Sequence, residues 1–205
     1  IYTGEDIFPY TTLFRSAGNS AFSTSPDWAE GRINSLSVDY ARAVTGATYW
    51  MFYTIEGSNK IGAASGTTAA GPYTDRGVFL TNTDVNSTTL KDPFLIVIST
   101  SYYLCYTTDD GTYIQRITLN RMRGVAKSGA AIKLTEKAFG NVAIVRINSN
   151  RFYLVGTVNK ETGTEIRYAM ASKITGPYLD KKGTQLTEGS TGELLLESGR
   201  DIINP

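Results

Sequence analysis

The chain has 205 residues, 41% of them hydrophobic, and 20 basic against 19 acidic side chains leave a net charge of +1. That balance, with no run of Lys and Arg, argues against a phosphate-tracking surface and so against a nucleic-acid partner. The sequence contains no His, which removes imidazole acid–base catalysis, Ser-His-Asp and Cys-His nucleophiles and the commonest zinc sites, so chemistry here must run on carboxylates. No stretch approaches the roughly 18 apolar residues that span a bilayer, so no membrane partner is expected, and no export signal is legible in these residues.

In chain order, the first segment is Phe8-Pro9-Tyr10-Thr11-Thr12-Leu13-Phe14-Arg15-Ser16. It matches what one reading frame of a widely used sequencing adapter would encode. Residues 1–16 are therefore read as an assembly artefact, and residues 17–205 as a partial folded domain.

Aromatic-rich segments then recur at Tyr49-Trp50-Met51-Phe52-Tyr53, Tyr102-Tyr103-Leu104-Cys105-Tyr106 and Phe152-Tyr153-Leu154-Val155. Their spacing of about fifty residues, filled with short alternating segments and Gly, Asn or Asp turns, predicts four-stranded propeller blades. The alternation in Thr112-Tyr113-Ile114-Gln115-Arg116-Ile117-Thr118-Leu119 and the β-branched run Asn141-Val142-Ala143-Ile144-Val145-Arg146-Ile147 fit strands. The expected blades run from Trp28 to Thr81, Leu90 to Glu136 and Gly140 to Thr187, with Glu193-Leu194-Leu195-Leu196 opening another. The fold class is thus all-β, about three blades of a propeller plus the start of a fourth. The lone Cys105 sits in an apolar strand and is expected to be buried and inert. Two corners, Gly71-Pro72-Tyr73 and Gly176-Pro177-Tyr178, read as rigid turns whose Tyr packs on a blade, with no catalytic part. Unclosed blade faces predict marginal stability.

The run from Tyr168 through Gly176-Pro177-Tyr178 to Gly183, followed by Thr191-Gly192-Glu193-Leu194-Leu195-Leu196-Glu197 and Ile203-Asn204-Pro205, resembles the late blades of glycoside hydrolase family 43, the arabinanases above all. Lys60-Ile61-Gly62-Ala63-Ala64-Ser65 is similar to the family's second blade, and Lys91-Asp92-Pro93-Phe94 to the opening of its third. The resemblance covers Trp28 to Pro205 and implies a truncated five-bladed propeller. It further implies a monomer, placed extracellularly or in the periplasm, that acts on arabinan or a related polysaccharide or oligosaccharide. No cofactor is expected in this chain, although the family places an ion on the propeller axis.

Family members invert configuration, which needs a base and an acid carboxylate on opposite sides of the sugar with room for water. The resemblance puts the base in a blade preceding this chain, so no residue is carried over for it and the fragment is expected to be inactive. It makes Asp92 the group that tunes the acid and orients the sugar; on local grounds alone Asp92 reads as a turn residue before Pro93. Counting back from Phe152-Tyr153-Leu154 puts Asn141 where the family has its acid Glu, and an amide cannot donate a useful proton. Two readings stay open. Either Glu136, otherwise a solvated loop residue, supplies the acid through a shifted loop, or the protein is a catalytically inactive carbohydrate-binding propeller. Trp28 resembles an aromatic residue that would stack on sugar, although Glu30-Gly31 departs from the family's Pro-Asp beside it.

Overall fold

A computed structural model describes Phe22, Trp28 and residues 32–197, apart from 44–45, 138 and 162. The readings of residues 1–16, of Glu30-Gly31 and of Ile203-Asn204-Pro205 lie outside the described residues.

Three separate antiparallel sheets follow one another along the chain. The first runs β1 (Ile33–Ala43), β2 (Gly46–Ile55), β3 (Lys60–Gly66) and β4 (Thr74–Thr81). The second runs β5 (Leu90–Ile98), β6 (Ser101–Thr108), β7 (Thr112–Asn120) and β8 (Gly124–Lys127), with a short β9 (Ile132–Lys133) paired to β7. The third runs β10 (Gly140–Asn148), β11 (Arg151–Lys160), β12 (Gly163–Ala171) and β13 (Glu193–Glu197). Each sheet is an up-and-down meander, the form of a propeller blade. No helix among the described residues is long and apolar enough to cross a membrane.

One boundary differs from the sequence reading. Glu193-Leu194-Leu195-Leu196 does not open a further blade: Glu193 lies opposite Tyr168 and Leu196 opposite Ile166, so β13 closes the third. The reason is the excursion 172–192 between β12 and β13. It holds the second Gly-Pro-Tyr corner and a single 3-10 turn at Leu186–Glu188, and it bridges back to β12 through Leu179, whose N–H donates to Met170 O over 2.7 Å. In sequence such an excursion looks like the end of a blade.

Blade stacking follows from the two-residue period of the aromatic strands. On β6, Tyr102, Leu104 and Tyr106 face the first blade and pack with Trp50, Phe52 and Leu80. Between them Cys105 faces the third blade, in a cluster with Phe139, Leu154 and Tyr178. Cys105 is fully buried, and burial pushes its thiol pKa up, the inert state the sequence predicts. The two corners also behave alike. Tyr73 and Tyr178 are buried, and each hydroxyl donates to the carbonyl four residues before it, Ala69 and Ile174.

The outer blade faces differ. Phe22 and Trp28 pack on the outward face of the first blade. The outward face of the third presents Val145 and Ile147, 47% and 58% exposed, beside Met170. An apolar blade face of this kind is buried only by stacking on a neighbour.

Candidate active site at the blade openings

The inner strands β1, β5 and β10 stand side by side, and the N–H of Leu95 on β5 donates to Ser37 Oγ on β1 over 3.0 Å. Asp92 and Asn141 lie near the starts of β5 and β10. Each lies in a register break, between Lys91 and Phe94 in one blade and between Gly140 and Ala143 in the next. Each has a left-handed backbone, with φ of 53° at Asp92 and 48° at Asn141. A β-bulge of this kind bends an inner strand and re-aims one side chain, and it also tolerates Pro93, which has no N–H for the ladder. In the first blade the irregularity comes earlier, between Ile33 and Ser35, and Leu36 pairs with Tyr53 without a bulge. Two of the three blades therefore share this opening.

The two openings are joined. The backbone N–H of Asn141 donates to Asp92 Oδ2 over 3.2 Å. Burial pushes the Asp92 carboxyl pKa up from its ordinary value, against the pull of that N–H and of the Lys91 ammonium. Asn141 itself is exposed.

What seats the third blade's opening against the second is a set of residues the sequence reading passed over. Thr107 Oγ1 donates to Phe139 O over 2.7 Å, and Phe139 N–H donates to Thr112 Oγ1 over 3.3 Å. Gly156 lies close enough that a Cβ there would stand 3.0 Å from that of Phe139, so a side chain would crowd the Phe139 seat. Gly140 is equally constrained, because its Cβ would meet Thr157 Oγ1 at 2.8 Å. A usable signal was present: the same Thr follows each aromatic strand, at Thr54, Thr107 and Thr157.

Glu136 and Trp28 are held elsewhere. Glu136 is exposed in the segment between β9 and β10, where its N–H donates to Leu186 O over 2.8 Å. Trp28 stacks on Tyr53 with ring centroids 5.3 Å apart, and its indole N–H donates to Asp75 Oδ2 over 3.2 Å. The Tyr53 hydroxyl donates to the other Asp75 oxygen over 2.8 Å. Trp28 also lies over Gly62, whose added Cβ would fall 2.1 Å from the indole. Among the described residues no group of three or more His, Cys, Asp or Glu could hold a metal ion. The opening therefore offers one half-buried carboxyl of raised pKa, one exposed amide and a backbone bond between them.

No protein-family model matches the chain. The extracellular endo-α-(1→5)-L-arabinanase 1 of Bacillus subtilis is 27% identical over 170 residues, which are 75% of this chain and 51% of that protein. The chain thus spans about half the length of the curated relative it matches. Among solved structures, the native Bacillus subtilis arabinanase superposes with a TM-score of 0.63 at 24% identity, over 79% of this chain and 59% of its own. Cellvibrio cellulosa α-L-arabinanase complexed with arabinohexaose gives 0.66 at 18% identity, over 91% and 69%. The Bacillus licheniformis family 43 endo-arabinanase gives 0.64 at 22% identity, over 80% and 60%. At these identities the structures carry the fold: the chain is a partial β-propeller, similar in sequence to an endo-arabinanase and in backbone to the arabinanases of glycoside hydrolase family 43.

Proposed function

We propose that the protein hydrolyses arabinan or a related arabinose-containing plant polysaccharide outside the cytoplasm, by an inverting carboxylate mechanism. The observation that supports this is Asp92. It is a carboxyl group of raised pKa, half-buried at a blade opening and fixed by the N–H of the next blade's opening. In an inverting site such a group orients the sugar and tunes the acid that protonates the leaving oxygen. A bacterial extracellular arabinanase as sequence relative supports both substrate class and setting.

A second reading is favoured by one observation, the exposed amide of Asn141 where an acid is needed. Without that acid the openings would hold a sugar without cutting it, unless Glu136 reaches the bond through movement of its loop. The test is release of arabinose and its oligomers from linear arabinan by the protein expressed from its source gene, beside Asp92→Ala. Hydrolysis that falls by about 10²–10⁴ in Asp92→Ala is the expected result. No hydrolysis together with retained arabinan binding would replace it with the second reading.

A further inference from the structure

The furrow between the second and third blades, at the end of the strands opposite Asp92, is built for a different task from the openings. β5 leaves the opening at Asp92 and reaches the furrow at Ile98, so at about 3.3 Å per residue the two places stand roughly 20 Å apart. The space measures about 450 Å³, within the roughly 300–1,000 Å³ of small-ligand sites.

One wall is apolar. Tyr103 lies on the face of β6 that looks toward the third blade, packed with Ile98 against the core between the two blades, and Ile174 continues that wall. The rim is polar and comes from three places in the fold. The β5–β6 hairpin gives Ser101, the β10–β11 hairpin gives Ser149 and Asn150, and the segment after β12 gives Ser172 and Lys173. Among the described residues none of these five side chains has a protein partner for its polar group, and neither does the Tyr103 hydroxyl.

The chemistry of this lining selects among ligands. Hydroxyls and an amide both donate and accept, which suits a ligand whose own groups do the same. A single ammonium is too little positive charge for a polyphosphate, and the open, shallow wall is too small for an acyl chain. An aromatic face edged by bifunctional polar groups fits a sugar ring, with its C–H face on Tyr103 and its hydroxyls at the rim. We propose that this furrow is a second carbohydrate-binding site, which takes a sugar residue of an oligosaccharide independently of the blade openings. It rests on the proposed function only for the polymer chosen as probe.

The experiment is affinity electrophoresis of the 205-residue chain through gels containing linear arabinan. Arabinan should retard the chain, and Tyr103→Ala should weaken the retardation about tenfold, a loss of about 1.4 kcal/mol. Because Tyr103 also packs against the core, Ser149→Trp is the companion variant: it fills the furrow from an exposed hairpin and should weaken retardation equally. Unretarded parent chain, or furrow variants that bind as tightly as the parent, would overturn the inference. Asp92→Ala separates the two proposals. If it alone abolishes retardation, binding lies at the openings, and the furrow site is lost while the proposed function stands. If arabinan hydrolysis is indifferent to Asp92→Ala while the furrow variants lose retardation, the proposed function fails and the furrow site stands.

Discussion

The second and third blades open in the same way and offer different chemistry. Both openings break register beside the first residues of the inner strand, and both put a residue in the left-handed region. In the second blade that residue is a half-buried carboxyl of raised pKa; in the third it is an exposed amide. The backbone frame is therefore separable from the reactive group it carries. A blade can keep the bulge that aims a side chain and place there a group that cannot transfer a proton. Asp92 depends on this frame twice, because the third blade's backbone supplies its hydrogen bond.

The comparison breaks most severely if the third opening is detached from the second. Phe139 is buried at the blade interface and bonded through its backbone to Thr107 and Thr112. Phe139→Ala leaves a cavity beside Gly156 that neither strand can close, and should cost about 3–5 kcal/mol in urea unfolding. A loss below about 1 kcal/mol would mean that the two threonines hold the opening without the ring.

A smaller change isolates the carboxyl. The folded-state pKa of Asp92 is raised above its ordinary 3.8, so folding favours its protonated form. Its contribution is fully present below that ordinary value and is lost as pH rises through the raised one. Asp92→Asn removes the ionisation and keeps an acceptor for the Asn141 N–H. The variant and parent should melt alike at pH 3, and the variant should melt higher at pH 7. A pH-independent difference, or a parent more stable at pH 7, would show that the folded state does not raise the carboxyl.

Most of the fold was legible because blades repeat. The aromatic strands recur at a fixed period and the paired corners lie about two periods apart, burial of Cys105 follows from its apolar strand, and Asp92-Pro93 and Asn141 are reached through the resemblance to the family. What escaped depends on partners distant in sequence. β13 resembled the start of a blade until its pairing with β12 assigned it. Trp28 is held by Tyr53, Asp75 and Gly62, and no spacing rule links those residues. Gly140 and Gly156 look like ordinary strand interruptions until Thr157 and Phe139 arrive across the ladder.

The smallest expected effect sharpens the comparison at Asn141. The bond to Asp92 comes from the Asn141 backbone, so Asn141→Gly keeps it and deletes only the amide. Glycine adopts φ near 48° without the Cβ penalty, yet it gives up more conformational freedom on folding. These terms nearly cancel for Asn, which tolerates the left-handed region better than most residues. The variant should therefore lie within about 1 kcal/mol of the parent in urea unfolding, on the stabilised side. That result would make the Asn141 side chain dispensable to the fold and free to be judged by what it does to sugar. A loss above about 1 kcal/mol would instead give the amide a structural task, and Asn141 would then owe its place in the bulge to the frame and not to the ligand.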